Sequence, residues 1–579
     1  MMPPGSEDKS AREWLAVAVV TVIGACLRFW PIGRLGLTHF DEGIYALTAS
    51  WVFHPRGLSG LDPTLISYAP PGYPILAGLA YAVFGASDGA MILVSQLAGT
   101  ITIPVVGWLA RRTFGPGTGF AAATLCAFSG SHIAFSRMGL TDASSLLAWL
   151  IAIGAGMRFL EQPGMIRAIA LGIGVGLAQQ FKYNGWLTGA IVVGTAILGP
   201  IVRPEDRRSG PTLKTFGWGA IAAGVAWLVV WPWYRFVEGH GGYSALLRHQ
   251  RSYLGGLDAW WPHFQIQADQ SVALSGGGCL ILPGLCLAGL APWLVRPSST
   301  ASGLSRIGRT LIAYSYVLLS WIFVDAPYWP GLVLAPWLLT RPRPSIRLAG
   351  VWWLVLSVMS PFYHPYARLW LPYHAVNWLL LGWLVVDWFG TILSAPPGPA
   401  VSRNKARRTI RAGALIVLFA CGATVHFWTT ASRKAHPLTG LLDRGDSLRW
   451  ACIKVGTLLP EDVNGLRVLV RPSVTYYLPD RVALRPLSGL EQAELPGEPR
   501  TWLLVDSAIV RSELGGAYPR PARNLLDRFA NYWELVEEIP TNLSLPTLLD
   551  LDPGAARRAS ADRSAPLWLF RPRRTRTQR

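Results

Sequence analysis

Charge is what this sequence has least of. Only 15% of its 579 residues are Asp, Glu, Lys or Arg, while 51% are apolar; soluble domains carry nearer 25% charged residues. That scarcity excludes an ordinary soluble enzyme of this length, which would divide into several domains joined by polar linkers. Cysteine is also sparse. Five of the six, Cys26, Cys126, Cys279, Cys286 and Cys421, lie in apolar runs and Cys452 stands alone, so neither a disulfide framework nor a metal-ligand spacing is present. Acidic residues number 33 against 52 basic ones, a net charge of +19. A basic chain can bind nucleic acid, but here much of the excess Arg sits in short breaks between apolar runs, which is how membrane topology is encoded. Nucleic-acid binding is therefore not expected. No cleavable leader is expected either, because the run from Trp14 to Trp30 lacks a small-residue cleavage site and suits a retained anchor.

What is present is a succession of apolar stretches from Trp14 to about Thr430, near the roughly 20 residues a bilayer core requires. Thirteen spans are predicted, at 13–31, 90–110, 117–135, 143–160, 166–181, 184–202, 215–236, 272–295, 307–324, 327–340, 346–363, 369–393 and 410–430. The twenty-seven tryptophans suit many helix ends at headgroup depth. The run 71–85 opens Pro-Pro-Gly and is short, so it reads as a juxtamembrane helix inside an outer loop 32–89. With the N-terminus inside, the inner loops hold Arg111, Arg112, Arg158, Arg167, Arg203, Arg207, Arg208, Arg341 and Arg343, among others. The short outer turns hold Arg137, Lys182 and Arg368, one each. Counting 71–85 as a span would reverse this sorting, so the positive-inside rule selects thirteen spans.

The domain reading follows. Residues 1–431 form a transmembrane domain, 432–570 a small extracytoplasmic α/β domain, and 571–579 a disordered basic tail. Leu466 to Val470, Trp502 to Val505 and Leu567 to Phe570 read as buried strands, and 445–458 as a helix. Arg far outnumbers Lys, the bias of a GC-rich bacterial genome, so the expected membrane is the plasma (inner) membrane.

The polar residues converge on the outer face. The first outer loop carries His39, Asp41, Glu42, Tyr45, His54, Asp62 and Tyr68; the next turns carry Arg137 with Asp142, and Lys182 with Tyr183; a later one carries His364 and Arg368. Adjacent acids in a loop are usually only solvated, and charges at helix ends often only snorkel. Their gathering at one rim is what points to a site. Carboxylates for proton transfer beside Arg and Lys for a phosphate suit chemistry on a lipid-linked phosphosugar. In the outer loop 237–271, His240, Tyr243, Arg248, His249, Tyr253, Trp260 and Trp261 suit sugar or acceptor contact, although Trp and Tyr also anchor helix ends at the headgroups. No motif demands a cofactor, and the histidines match no compact metal motif; the carboxylates leave room for a divalent cation.

Several runs resemble a known group. His39-Phe40-Asp41-Glu42-Gly43-Ile44-Tyr45 is similar to the Asp-Glu signature of GT-C glycosyltransferases, and Ala69-Pro70-Pro71-Gly72-Tyr73 to their Pro-Pro element. Ala110 to Gly115, Ser136 to Asp142, Phe181 to Gly185 and Arg368 to Pro372 follow in the same order. The resemblance is to the dolichyl-phosphate-mannose protein mannosyltransferase-like group, with the lipid A aminoarabinose transferases, and it covers about 13–430. It implies a polytopic α-helical membrane fold of about 13 helices with a small C-terminal α/β domain. The activity it implies is inverting transfer from a polyprenyl-phosphate-linked sugar to a lipid, glycan or protein acceptor. Carried over, Asp41 is the catalytic carboxylate, with Glu42 and Asp142 beside it. Lys182, Arg137 and Arg368 receive the donor phosphate, and Tyr45, His39, Tyr68, Tyr183 and His364 line the substrate cavity. Aminoarabinose transferases have basic residues where this chain has Ala69 and Ile44, so the resemblance implies the class and not that particular transfer. A secondary transporter or lipid flippase is the competing reading, but no internal repeat is evident and the charges sit at a rim, not the midplane.

Overall fold

The computed structural model describes residues 6–30, 34–53, 69–202, 213–274, 284, 287–291, 329–393, 446–495, 498, 500–513, 529–557 and 563–573. The predicted spans 307–324 and 410–430, most of 272–295, and Tyr68, His54 and Asp62 lie outside them. The described chain is mostly helical, with a small sheet near its C-terminus.

The first helices are α1 (Ser6–Phe29), α2 (Phe40–Phe53), α3 (Gly72–Phe84), α4 (Asp88–Phe114), α5 (Thr118–Ala127), α6 (Gly130–Ser136), α7 (Asp142–Glu161) and α8 (Met165–Phe181). Next come α9 (Leu187–Val202), α10 (Leu213–Gly239), α11 (Gly242–Arg251), α12 (Leu257–Leu274), α13 (Trp329–Leu339), α14 (Pro344–Met359) and α15 (Leu371–Leu393). Among the described residues, six helical stretches are long and apolar enough to cross a membrane, among them α4, α7 and most of α10; α3, α5, α8 and α9 are shorter apolar helices. At 1.5 Å per residue α4 is about 40 Å long, enough to cross with some tilt. Large aromatic side chains fill the centre: Trp149, Trp352, Trp370, Trp378 and Tyr373 are almost wholly buried, each removing a large apolar area from its surroundings.

Three differences from the sequence reading matter for the site. The predicted span 117–135 is two helices, α5 and α6, broken at Phe128 and Ser129. The Ser129 hydroxyl caps the second piece by accepting from the His132 N–H. Buried Arg28 of α1 donates to the Cys126 and Ala127 carbonyls at 3.1 Å, so the break's orphan acceptors are satisfied where no water would do it. Second, the acidic stretch after α1 is helix α2, not open loop. Third, the stretch 237–271, predicted as an outer loop, contains α11 and most of α12. Helix α3 stands where the juxtamembrane helix is predicted. It buries Tyr73, Ala77 and Tyr81, and exposes Ile75, Leu79 and Val83 on an i, i+4 stripe suited to lipid.

The C-terminal domain is a five-stranded sheet in the order β2-β1-β3-β5-β4. Its strands are β1 (Gly465–Leu469), β2 (Ala483–Pro486), β3 (Thr501–Asp506), β4 (Trp533–Ile539) and β5 (Leu567–Pro572). β2, β1 and β3 run parallel, and β5 pairs antiparallel with both β3 and β4. The three predicted strands are the central three. Helices α16 (Ser447–Leu458), α17 (Pro472–Tyr477), α18 (Leu490–Ala493), α19 (Ser507–Glu513) and α20 (Leu545–Leu551) connect and flank them.

The sheet is fastened to the start of α2. Buried Arg471, at the end of β1, donates to Asp506 of β3 at 2.6 Å and to the Thr38 carbonyl. Tyr477 receives the Leu37 N–H at 2.8 Å and donates to Asp88 of α4 at 2.9 Å. Arg449 reaches the same Asp88 carboxylate at 2.9 Å.

Candidate active site

The site begins at the N-terminus of α2, and the sequence builds that terminus with a capping box. Glu42, three residues after His39, reaches back to accept the Thr38 and His39 N–H groups at 2.7 Å each. Its other oxygen accepts the Gly139 N–H from the turn between α6 and α7, at 2.6 Å. With no exposure at all, Glu42 is a bolt between two segments of backbone. Burial raises its pKa, and those backbone donors oppose the rise.

Asp41, one residue away, faces the other direction. Its carboxylate accepts from Arg368 at 2.5 Å, and its side chain keeps 28% exposure against 12% for Arg368. Burial alone would raise the Asp41 pKa, but the Arg368 guanidinium, with Lys182 behind it, holds it down at about 2. The Asp41 N–H donates to His39 Nδ1 at 3.0 Å. That fixes the imidazole proton on Nε2, which donates to Asp550 of α20 at 2.9 Å. Asp550 lies 3.1 Å from Arg368 Nε, so Arg368 is held between two carboxylates, one from each domain.

A second acid–base pair stands beside the first. Lys182, at the C-terminus of α8, donates to Asp142, in the first turn of α7. A carboxylate suits that helix end, where the N–H groups leave a partial positive charge. The other Asp142 oxygen is buried with no hydrogen-bond partner among the described residues. Thr141 ties the same corner by donating to the Phe181 carbonyl at 2.8 Å. Lys182 contributes to the field at Asp41, and Asp142 to the field at Tyr45. Tyr45, one turn along α2, packs edge-on against Tyr73 with ring centroids 5.4 Å apart.

The remaining predicted residues are less central. Arg137 is buried where α6 ends. Tyr183 accepts the Trp233 indole N–H at 3.0 Å, on the side of α10. His364 donates its N–H to the Tyr253 carbonyl at 2.7 Å and packs against Tyr366, ring centroids 4.5 Å apart. Burial lowers its pKa, so it is neutral at pH 7. Arg368 lies over the Tyr366 ring at 5.0 Å, a cation–π contact. Tyr253, Tyr363, His364 and Tyr366 thus form an aromatic wall behind Arg368. Of the aromatic residues expected from 237–271, Tyr253 belongs to this wall, whereas Trp261 is exposed and stacked on Phe264. Among the described residues no group of three or more His, Cys, Asp or Glu is arranged to hold a metal ion.

Asp550 and Tyr366 are the site residues that sequence reasoning missed. Asp550 sits 511 positions from His39 in an ordinary helix, Leu545–Leu551, and nothing local marks it. Tyr366 carries a weak signal, two positions from Arg368.

Comparison with known proteins agrees with this architecture. Residues 68–233 match the family dolichyl-phosphate-mannose-protein mannosyltransferase. No curated protein sequence matches the chain. Among solved structures, the chain is similar to ArnT from Cupriavidus metallidurans in the apo state, with 13% identity, TM-score 0.50, and coverage of 97% of this chain and 98% of that one. The same protein bound to undecaprenyl phosphate matches with 15% identity, TM-score 0.47, and coverage of 96% and 97%. An oligosaccharyltransferase from Archaeoglobus fulgidus in the apo form matches with 14% identity, TM-score 0.49, and coverage of 86% of this chain and 70% of that one. Among the described residues the helices are those of a multi-pass membrane protein, the fold is similar to that of ArnT, and residues 68–233 resemble the dolichyl-phosphate-mannose-protein mannosyltransferase family.

Proposed function

We propose that the chain transfers a sugar from a polyprenyl-phosphate carrier to a lipid, glycan or protein acceptor, inverting the anomeric carbon in a single displacement. The reaction takes place at the extracytoplasmic face of the plasma (inner) membrane, with the N-terminus cytoplasmic and the C-terminal domain outside. The observation that carries this reading is the contact of partly exposed Asp41 with Arg368 at 2.5 Å.

Such a transfer makes two demands. The acceptor hydroxyl must lose its proton as its oxygen bonds to the anomeric carbon. The phosphate must also leave with the electron pair of the breaking carbon–oxygen bond. A phosphate oxyanion needs positive charge more than it needs a proton. Arg368, Lys182 and Arg137 are the cations we assign to it, with Arg368 foremost because its planar fork suits a phosphate.

Asp41 receives the proton. In the resting protein Arg368 keeps this carboxylate a weak base, with a pKa of about 2. A donor phosphate that takes over Arg368 removes that counter-charge while the burial remains. The proton affinity of Asp41 then rises when an acceptor can use it. Asp142 orients Lys182, Glu42 sets the backbone beneath Asp41, and we assign His39, Tyr45, Tyr183 and His364 to the substrate, as we do Tyr68 from the sequence. The family matched over 68–233 is named for dolichyl-phosphate-mannose, a lipid-linked phosphosugar, and supports a donor of that class.

The test is transfer of labelled sugar by purified protein from a panel of polyprenyl-phosphate sugars, with host membranes as acceptor, wild type beside Asp41→Asn. Turnover by wild type and a loss of at least about 100-fold in the variant, with folding unchanged, are expected. Turnover that survives the substitution would move the base to another carboxylate. Absence of turnover with every donor, together with movement of a lipid or solute in liposomes, would replace the enzyme by a transporter.

A further inference from the structure

We infer that the C-terminal domain completes the active site by supplying Asp550 as the positioning residue for Arg368 and His39. This inference rests on the assignment of Arg368 to the donor phosphate.

Three observations carry it. Asp550 has a side chain only 5% exposed, yet both of its neighbours belong to the other domain: His39 Nε2 at 2.9 Å and Arg368 Nε at 3.1 Å. A carboxylate brought so far out of water requires a charged or donating partner, and these two supply both. Second, the segment holding His39 is pinned to the same helix. The Thr38 hydroxyl lies 3.0 Å from both the Ser544 and the Thr547 hydroxyls, at the start of α20. The position of Asp550 relative to α2 is thereby set by at least three contacts within two turns. Third, Arg368 has a carboxylate on either side: Nη1 on Asp41 and Nε on Asp550.

The two carboxylates have different consequences. The Asp41 contact is the one a donor phosphate would displace. The Asp550 carboxylate, 3.1 Å from Nε as a charge contact and not a hydrogen bond, can persist and hold the guanidinium in place while the fork turns to phosphate. Without Asp550, Arg368 keeps a single anionic partner. It then collapses onto Asp41, and its fork is no longer aimed for an incoming phosphate. His39 also loses the acceptor that fixes its ring, and with it the Nδ1 contact to the Asp41 N–H. A misplacement near 1 Å at such a group costs up to about 100-fold.

The experiment measures binding of undecaprenyl phosphate, in detergent micelles, to full-length protein, so it needs neither the sugar nor the acceptor. Wild type, Arg368→Gln, Asp550→Asn, Asp550→Glu and Arg557→Gln are compared. Arg557 pairs with Asp269 of α12 at 2.6 Å, so its variant loosens the contact between domains without touching Arg368. Asp550→Asn and Arg368→Gln should each weaken binding by about tenfold or more, Asp550→Glu should recover most of the loss, and Arg557→Gln should bind as wild type does. Normal binding by Asp550→Asn beside weak binding by Arg368→Gln overturns this inference alone. Equal loss in Asp550→Asn and Arg557→Gln overturns it too, because docking of the domain would then suffice. Normal binding by Arg368→Gln, or none by wild type, overturns the phosphate assignment beneath it.

Discussion

Asp41 and Glu42 are adjacent and chemically alike, and their surroundings divide the work. Glu42 accepts three backbone N–H groups and has no exposure, whereas Asp41 keeps 28% exposure and one cationic partner. Glu42→Gln would set an amide N–H₂ among backbone donors, so it should lower thermal stability more than Asp41→Asn does, measured by thermal unfolding in detergent. For Asp41 the sign runs through Arg368. A pKa depressed to about 2 means the pair contributes stability above the usual carboxylate value of about 4, lost as pH falls through 2. The free wild-type enzyme should therefore show no ionisation of Asp41 in kcat/KM between pH 4 and 7. Arg368→Gln removes the counter-charge and leaves the burial, so the pKa rises. An acid limb, absent from wild type, should enter the kcat/KM profile of that variant. A profile parallel to wild type would refute the coupling. The Asp-Glu pair was legible in the sequence as a candidate site, because acids are scarce and its motif resembles a known one. Which of the two is bonded to backbone was not, since Gly139 lies 97 positions away.

At the scale of elements, the position of Asp41, the proposed base, depends on how closely α2 approaches α17. A Cβ on Gly43 would lie 1.9 Å from the Ser473 backbone nitrogen and 2.1 Å from the Pro472 carbonyl carbon. Backbone atoms cannot give way, so only glycine lets α2 lie against this part of the C-terminal domain. Gly43→Ala should lower stability by about 1–3 kcal/mol, as overpacking does, and should reduce turnover because Asp41 begins two residues earlier. Gly219→Ala, in α10, meets nothing within 4 Å and should be neutral; equal melting temperatures for the two variants would refute the packing argument. Apolar length marked the long apolar helices among the described residues but not α2, α11 and α12. Runs such as Phe40–Phe53 mix an acid pair, a glycine and apolar residues, and at 14 residues they fall below the length that marks a span. Likewise 117–135 reads as one continuous apolar run, and its break depends on Ser129 and on distant Arg28.

For the whole molecule, the sorting of charge along the bundle agrees with the docking of the sheet. One end of α4 holds Asp88, bonded to Arg449 and Tyr477 of the C-terminal domain. Its other end holds Arg111, paired with Glu13 of α1, and Arg112, paired with Glu161 at the end of α7. Asp142, at the opposite end of α7, belongs to the candidate site. The sheet, Asp41, Asp142 and Lys182 therefore share one end of the bundle, and Arg111, Arg112, Arg158 and Arg167 share the other. Arginine-rich ends tend to stay in the cytoplasm, which supports the proposal that the sheet and the site lie outside. Two single cysteines in a cysteine-free background would check this: Glu498→Cys, whose native side chain is 67% exposed, and Gln162→Cys, exposed at the far end. In intact cells a membrane-impermeant maleimide should label position 498 and spare position 162, and permeabilised cells should label both. The reverse pattern would place the site in the cytoplasm. It would leave Asp41, Arg368 and Asp550 together, but would require the phosphosugar to be presented from the inner leaflet.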